Sequence, residues 1–140
     1  MKIYLAGPFF NEEQISYIEK AETILRRRGF DVFSPREHTA DETLPNHLWA
    51  QKIFEIDVQA LSESDLAVAV YHGMYSDTGT AWEIGYAYAN KIPIVLVCTD
   101  CRASQSAMVV NASKAVIGVD ALSDYDFDTL PAGNVIDTQI

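Results

Sequence analysis

The chain predicts an α/β fold: a doubly wound, flavodoxin-like sheet of five parallel strands in the order 2-1-3-4-5, flanked by helices. Three observations predict it. Short β-prone apolar runs alternate with segments of helical periodicity, the pattern of repeated strand–helix units. Five such apolar runs can be counted. The third, Leu-Ala-Val-Ala-Val-Tyr at residues 66–71, has no charged position, as expected of a strand covered on both faces. In 140 residues there is no repeat, low-complexity run or linker, so a single domain over residues 1–140 is expected.

Each element has a local cause. Residues 2–6 form a first strand, ended by Gly7-Pro8, which cannot continue a central strand. Asn11 then offers an N-cap oxygen, with Gln14 three residues on and Glu12 and Glu13 at the positive end of the helix dipole. Ile15, Ile18, Ala21, Ile24 and Leu25 recur at helical spacing, and Arg26-Arg27-Arg28 with Gly29 close the helix. The arginine run is expected to be last-turn charge facing water rather than an anion site. Residues 30–33 make a second strand, stopped by Ser34-Pro35 ahead of a loop carrying Arg36, Glu37 and His38. Leu48, Ile53, Ile56 and Leu61 predict a helix over about residues 45–62. After the third strand, a loop at 72–78 leads into a helix near 80–90, then a fourth strand at 93–97. A helix near 104–113 and a fifth strand at 115–119 follow, and beyond 120 the pattern fades to short turns. Ligands of such sheets bind at the carboxyl ends of the strands, near the switch between the first and third. That points to residues 7–10, 34–38 and 72–78 around one crevice.

Composition narrows the partners. A formal net charge of −10 argues against nucleic acid and anionic membranes, and leaves room for a small neutral ligand. No apolar run approaches the roughly 18–20 residues of a membrane span. The first residues carry one Lys and an apolar stretch shorter than the roughly 7–15 residues of a signal core, so a cytoplasmic protein is expected. Cys98 and Cys101 form one Cys-x-x-Cys. A zinc site would want two further ligands at paired spacing, yet His38, His47 and His72 are scattered. The expectation is Cys98 ending a buried strand, Cys101 in a loop, and no metal.

Three carboxylates stand out by position. Glu83 lies in Thr80-Ala81-Trp82-Glu83-Ile84-Gly85-Tyr86-Ala87, an otherwise uncharged stretch of helix where a lone carboxylate is costly to bury unless hydrogen-bonded. Gly79, Ala81 and Gly85 would let a flat substrate approach it. Asp77, six residues earlier, could equally be a turn residue at the helix start, and Asp57 an ordinary helix-surface charge. Gathered at one crevice, a nucleophilic carboxylate and an assisting acid would suit cleavage of a glycosidic bond.

The stretch from Asp77 to Ala87 resembles the signature of the nucleoside 2-deoxyribosyltransferase family. Residues 2–14, 32–37 and 124–131 are also similar to bacterial members, so the resemblance covers nearly the whole chain. It implies Glu83 as the covalent nucleophile and Tyr4 as the residue whose hydroxyl orients it. It further implies Asp57 and Asp77 as acids at the base and sugar, and Phe10 and Trp49 as aromatic walls of the base pocket. In the family a neighbouring subunit lends an Asn from an Asn-Leu-Met segment to a sugar hydroxyl, but the corresponding residues here are Ser106-Ala107-Met108.

The implied activity is transfer of 2-deoxyribose between nucleobases through a deoxyribosyl-Glu83 intermediate with net retention, needing no metal or organic cofactor. The implied substrates are deoxynucleosides and free nucleobases. The implied assembly is a homo-oligomer, a hexamer built from dimers, in which Met108 and its neighbours complete the adjoining pocket. The alternative is an N-glycosidase hydrolysing deoxynucleosides or deoxynucleoside 5′-monophosphates on the same scaffold. Arg36 and Ser106 are the candidate phosphate partners for that reading.

Overall fold

A computed structural model describes residues 1–74, 76–100 and 104–133. Strands β1 (Lys2–Ala6), β2 (Asp31–Phe33), β3 (Leu66–Tyr71), β4 (Ile94–Cys98) and β5 (Ala115–Gly118) pair in parallel in the order β2-β1-β3-β4-β5, as the sequence predicts. Helices α1 (Glu12–Arg27), α2 (Asn46–Ser62), α3 (Thr78–Ala89) and α4 (Ala107–Ala112) connect them, with 3-10 turns at Pro35–Glu37 and Val119–Ser123.

Period-two alternation divides the strand side chains between two cores. Ile3, Leu5, Leu66, Val68, Val70, Val95, Val97 and Ile117 face α1, where Ile18, Ala21 and Leu25 meet them together with Leu122. Tyr4, Ala6, Ala67, Ala69, Ile94, Leu96 and Cys98 face the other layer, with Leu61 of α2, Ile84 and Ala87 of α3 and Val109 of α4. Tyr4 falls on the α2/α3 side only because of this parity. Shifting β1 by one residue would turn its ring into the α1 core.

Local chemistry sets the boundaries. Asn11 caps α1, accepting from the Gln14 amide at 2.9 Å, while the Gln14 side chain accepts from the Phe10 amide at 2.8 Å. Gly7 ends β1 at φ +155°, and a Cβ there would lie 2.6 Å from Ile18 Cδ1, so the strand exit crosses α1 too closely for any other residue. The helix expected over 104–113 shortens to Ala107–Ala112, because the Ser104 carbonyl is held in an extended segment by the Met74 amide at 2.8 Å. Cys98 ends β4 and is buried, whereas Cys101 and the tail from 134 onward lie outside the described residues. No helix among the described residues is long and apolar enough to cross a membrane.

The arginine run differs from expectation. Arg26 donates to both Glu37 carboxylate oxygens, at 2.9 and 2.5 Å, and to the Val32 carbonyl at 3.2 Å. Arg28 donates to the Leu122 and Tyr125 carbonyls and lies over the rings of Phe30 and Phe127. Two of the three arginines therefore tie α1 to later parts of the chain instead of ending in water. Their partners are up to 97 residues away, beyond the reach of a helix-end rule.

Candidate active site

A pocket of about 250 Å³ opens between α2 and α3 over β1, lined by Tyr4, Phe54, Asp57, Val58, Leu61, Gly79, Trp82 and Glu83. Three elements build it. β1 supplies Tyr4, fully buried, with its hydroxyl aimed up between the helices. α2 contributes Phe54, Asp57, Val58 and Leu61, residues spaced three and four apart on one stripe. α3 contributes Gly79, Trp82 and Glu83 from the stripe that faces α2. A Cβ at Gly79 would stand 2.9 Å from Asp77 Oδ2, so glycine keeps the first turn of α3 open beside that carboxylate.

The Tyr4 hydroxyl donates to Glu83 Oε1 at 2.5 Å, a short charge-assisted contact joining residues 79 apart in sequence. Burial pushes the Glu83 carboxyl up to about 7; repulsion from Asp57 and Asp77 adds to this, and the Tyr4 bond opposes it. Burial likewise raises Asp57 to about 6, with His38 pulling the other way. Tyr4 itself is pushed upward, first by burial and then by the Glu83 charge, so it stays a neutral donor. The site thus holds two carboxyls that change charge near neutrality, one of them fixed in direction by a phenol.

Asp77 is the N-cap of α3, its Oδ2 accepting from the Thr80 amide at 2.7 Å and the Thr80 hydroxyl at 3.1 Å. The turn-residue role and proximity to the site both hold, since its charge acts on Glu83.

The other expected site residues do not line this pocket in the single chain. Phe10 is 74% exposed and stacks on Phe9 at 6.0 Å, and Trp49 is 37% exposed at the start of α2. Ser106 caps α4, and Met108, 82% exposed, borders a second groove with Ala81, Ile84, Gly85 and Tyr88, on a different stripe of α3.

Arg36 corrects the phosphate expectation. Its guanidinium forks onto buried Glu22 at 2.8 and 2.6 Å and approaches Glu19 at 3.5 Å, so its donors are engaged by α1. The crevice expectation is also corrected. Its walls come from α2 and α3, and none of residues 7–10, 34–38 or 72–78 lines it.

Sequence reasoning missed Phe54, Val58, Leu61 and Trp82 as pocket walls. Phe54 and Trp82 meet edge-on at 5.5 Å, and Trp82 stacks on Tyr86 at 5.4 Å, giving the mouth an aromatic rim. The three-and-four spacing around Asp57 was the available signal.

Fold and site together define an α/β protein whose apolar pocket presents a phenol-bound carboxylate beside a second acid. The model of the family described as nucleoside 2-deoxyribosyltransferase matches residues 3–123, and the chain belongs to that family. It is similar to a solved 2-deoxyribosyltransferase from Bacillus psychrosaccharolyticus, at 36% identity and TM-score 0.86, covering 95% of this chain and 98% of that one. A nucleoside deoxyribosyltransferase of Limosilactobacillus fermentum is 33% identical over 108 residues, 69% of this chain and 64% of that protein. A putative 2′-deoxynucleoside 5′-phosphate N-hydrolase of Thermofilum pendens is 29% identical over 130 residues, 90% of this chain and 88% of that protein.

Proposed function

We propose that the protein transfers 2-deoxyribose between nucleobases through a covalent ester on Glu83, with net retention at C1′. The observation that carries this reading is the 2.5 Å Tyr4–Glu83 contact inside a pocket that also holds Asp57. A nucleophilic carboxylate needs a fixed direction and an acid for the leaving group. Glu83 attacks C1′ as the C1′–N bond breaks, and Asp57 protonates the departing base. A second base then attacks the ester from the face the first one left, and Asp57 takes up its proton. Asp77, with Oδ2 committed to the helix cap, offers Oδ1 toward the sugar. Phe10 and Trp49 are assigned to the base, closing over it from the exposed side of the pocket.

We assign Ser106 and Met108 to the pocket of an adjoining copy in a homo-oligomer, a hexamer built from dimers. Two facts favour this: Met108 projects into solvent, and the single-chain pocket falls just below the roughly 300–1,000 Å³ usual for small-molecule sites.

A second reading, hydrolysis of a deoxynucleoside 5′-monophosphate, is favoured by the similarity to the Thermofilum pendens protein and by Ser106. Weighing against it, among the described residues no Lys or Arg lines the pocket, and Arg36 is bound to Glu22. A phosphate dianion would meet Glu83, Asp57 and Asp77 without a paired cation.

Incubation with 2′-deoxyinosine, with and without adenine, separates these readings by chromatography. The transferase yields 2′-deoxyadenosine and hypoxanthine when adenine is present. Free deoxyribose at the same rate with or without adenine, or turnover confined to the 5′-monophosphate, would contradict it.

A further inference from the structure

His38 takes no part in the reaction just described, yet it ends a column of rings that starts at the nucleophile's partner. Tyr4 stacks on Phe33 at 5.6 Å and 13°, and Phe33 stacks on His38 at 4.1 Å and 5°. The parallel register of β1 and β2, which sets Tyr4 opposite Phe33, builds the first step of this column. The chain leaving β2 through the Pro35–Glu37 turn builds the second. The imidazole is exposed to solvent at its outer side. Two carboxylates feel its charge, Glu37 beside it in the turn and Asp57 across the gap on α2. Asp57 in turn faces Glu83 and Tyr4 on its other side. His38 is therefore the one cation acting on Asp57, in a site otherwise dominated by negative charge.

We propose that His38 is a positioning residue for the reaction: its imidazolium, held over Phe33 at the pocket rim, stabilises the carboxylate that Asp57 becomes on handing its proton to the departing base. The proposal rests on the reading of Asp57 as the acid. As C1′ passes from the base nitrogen to Glu83 Oε, the C–N electron pair leaves with the base, and the Asp57 proton moves to that nitrogen. Asp57 is left charged, and His38 exchanges no proton in the step. In the second half the incoming base returns its N–H proton to Asp57 as it displaces Glu83. An imidazole suits this task because its charge is available at mild pH and its flat ring can be located by stacking.

Two variants separate charge from packing. His38→Phe keeps the ring stack and removes the charge, and His38→Arg keeps a planar stacking group with a permanent charge. Carbon-13 titration of the Asp57 carboxyl in the ligand-free full chain should show its midpoint rising in His38→Phe and falling in His38→Arg. Both displacements should shrink in high salt, as for a partly exposed charge pair. With 2′-deoxyinosine and adenine, His38→Phe should lose several-fold in kcat with little change in KM, and His38→Arg should recover most of that loss. Unmoved Asp57 midpoints in both variants, or a His38→Phe enzyme with the wild-type pH profile, would overturn the proposal. If the wild-type chain cleaves no nucleoside but the titration shifts appear, the catalytic role falls while the charge pairing stands, so the two failures are distinguishable.

Discussion

At the scale of single residues, the site is a set of opposed electrostatic demands on one carboxyl. Burial and the charges of Asp57 and Asp77 push Glu83 up to about 7, and the Tyr4 hydroxyl pulls it down. As the nucleophile Glu83 must be ionised, so kcat/KM should rise with pH and flatten above about 7. Tyr4→Phe removes the one listed influence that favours the carboxylate, so this limb should move to higher pH. The rate should also drop by roughly 10–100-fold, the worth of a hydrogen bond to a charged group. A pH–rate profile that does not move would contradict the orienting role. The same shift carries a stability consequence. A carboxyl raised in the folded state favours folding below its unfolded pKa, and that contribution is lost as pH rises through about 7. Glu83→Gln should accordingly be inactive yet more stable than the parent at pH 8, by on the order of 1–3 kcal/mol, measured as Tm. Equal or lower stability at pH 8 would mean that the carboxylate is not strained by burial.

At the scale of elements, two acid-bearing segments are fixed by bonds that serve the fold. Asp77 caps α3 through Thr80, and Asn is an equally good N-cap, so Asp77→Asn should keep its Tm while turnover falls. Loss of stability without loss of rate would reduce Asp77 to its capping role. Glu22 is buried in α1 and is matched by Arg36 from the Pro35–Glu37 turn. Arg36→Ala leaves that carboxylate without its fork, and should cost about 3 kcal/mol in denaturant unfolding with no change in preference for phosphorylated substrates. A selective loss of monophosphate turnover would instead restore Arg36 as a ligand contact. Alternation and capping were legible here because they are local. Asn11, Gln14 and the all-apolar run of β3 announce their elements within a few residues. The Arg36–Glu22 fork was not legible, because a pair 14 residues apart looks in sequence like two surface charges.

At the scale of the whole molecule, the sheet order followed from five apolar runs and their spacing, whereas the pocket's position did not. The rule that ligands sit at strand ends pointed to loops. The parity of β1 instead turns Tyr4 beneath α2 and α3, so the walls became Phe54, Val58, Leu61 and Trp82. Glu83 was legible because a lone carboxylate in an apolar helix demands a partner, although only the fold supplies Tyr4. Assembly belongs to this scale too. Met108→Lys, at a side chain already 82% exposed, should leave the monomer's fold intact. Light scattering should show smaller particles, with activity falling in step; a fully active monomer would refute a shared site. The central claim is that Glu83 carries the sugar. A slow 2-fluoro-2-deoxynucleoside, followed by peptide mass spectrometry, should show one added fluorodeoxyribosyl group on the peptide containing Glu83, released when adenine is supplied. Label on another carboxylate, or full turnover of the natural substrate by Glu83→Ala, would contradict it.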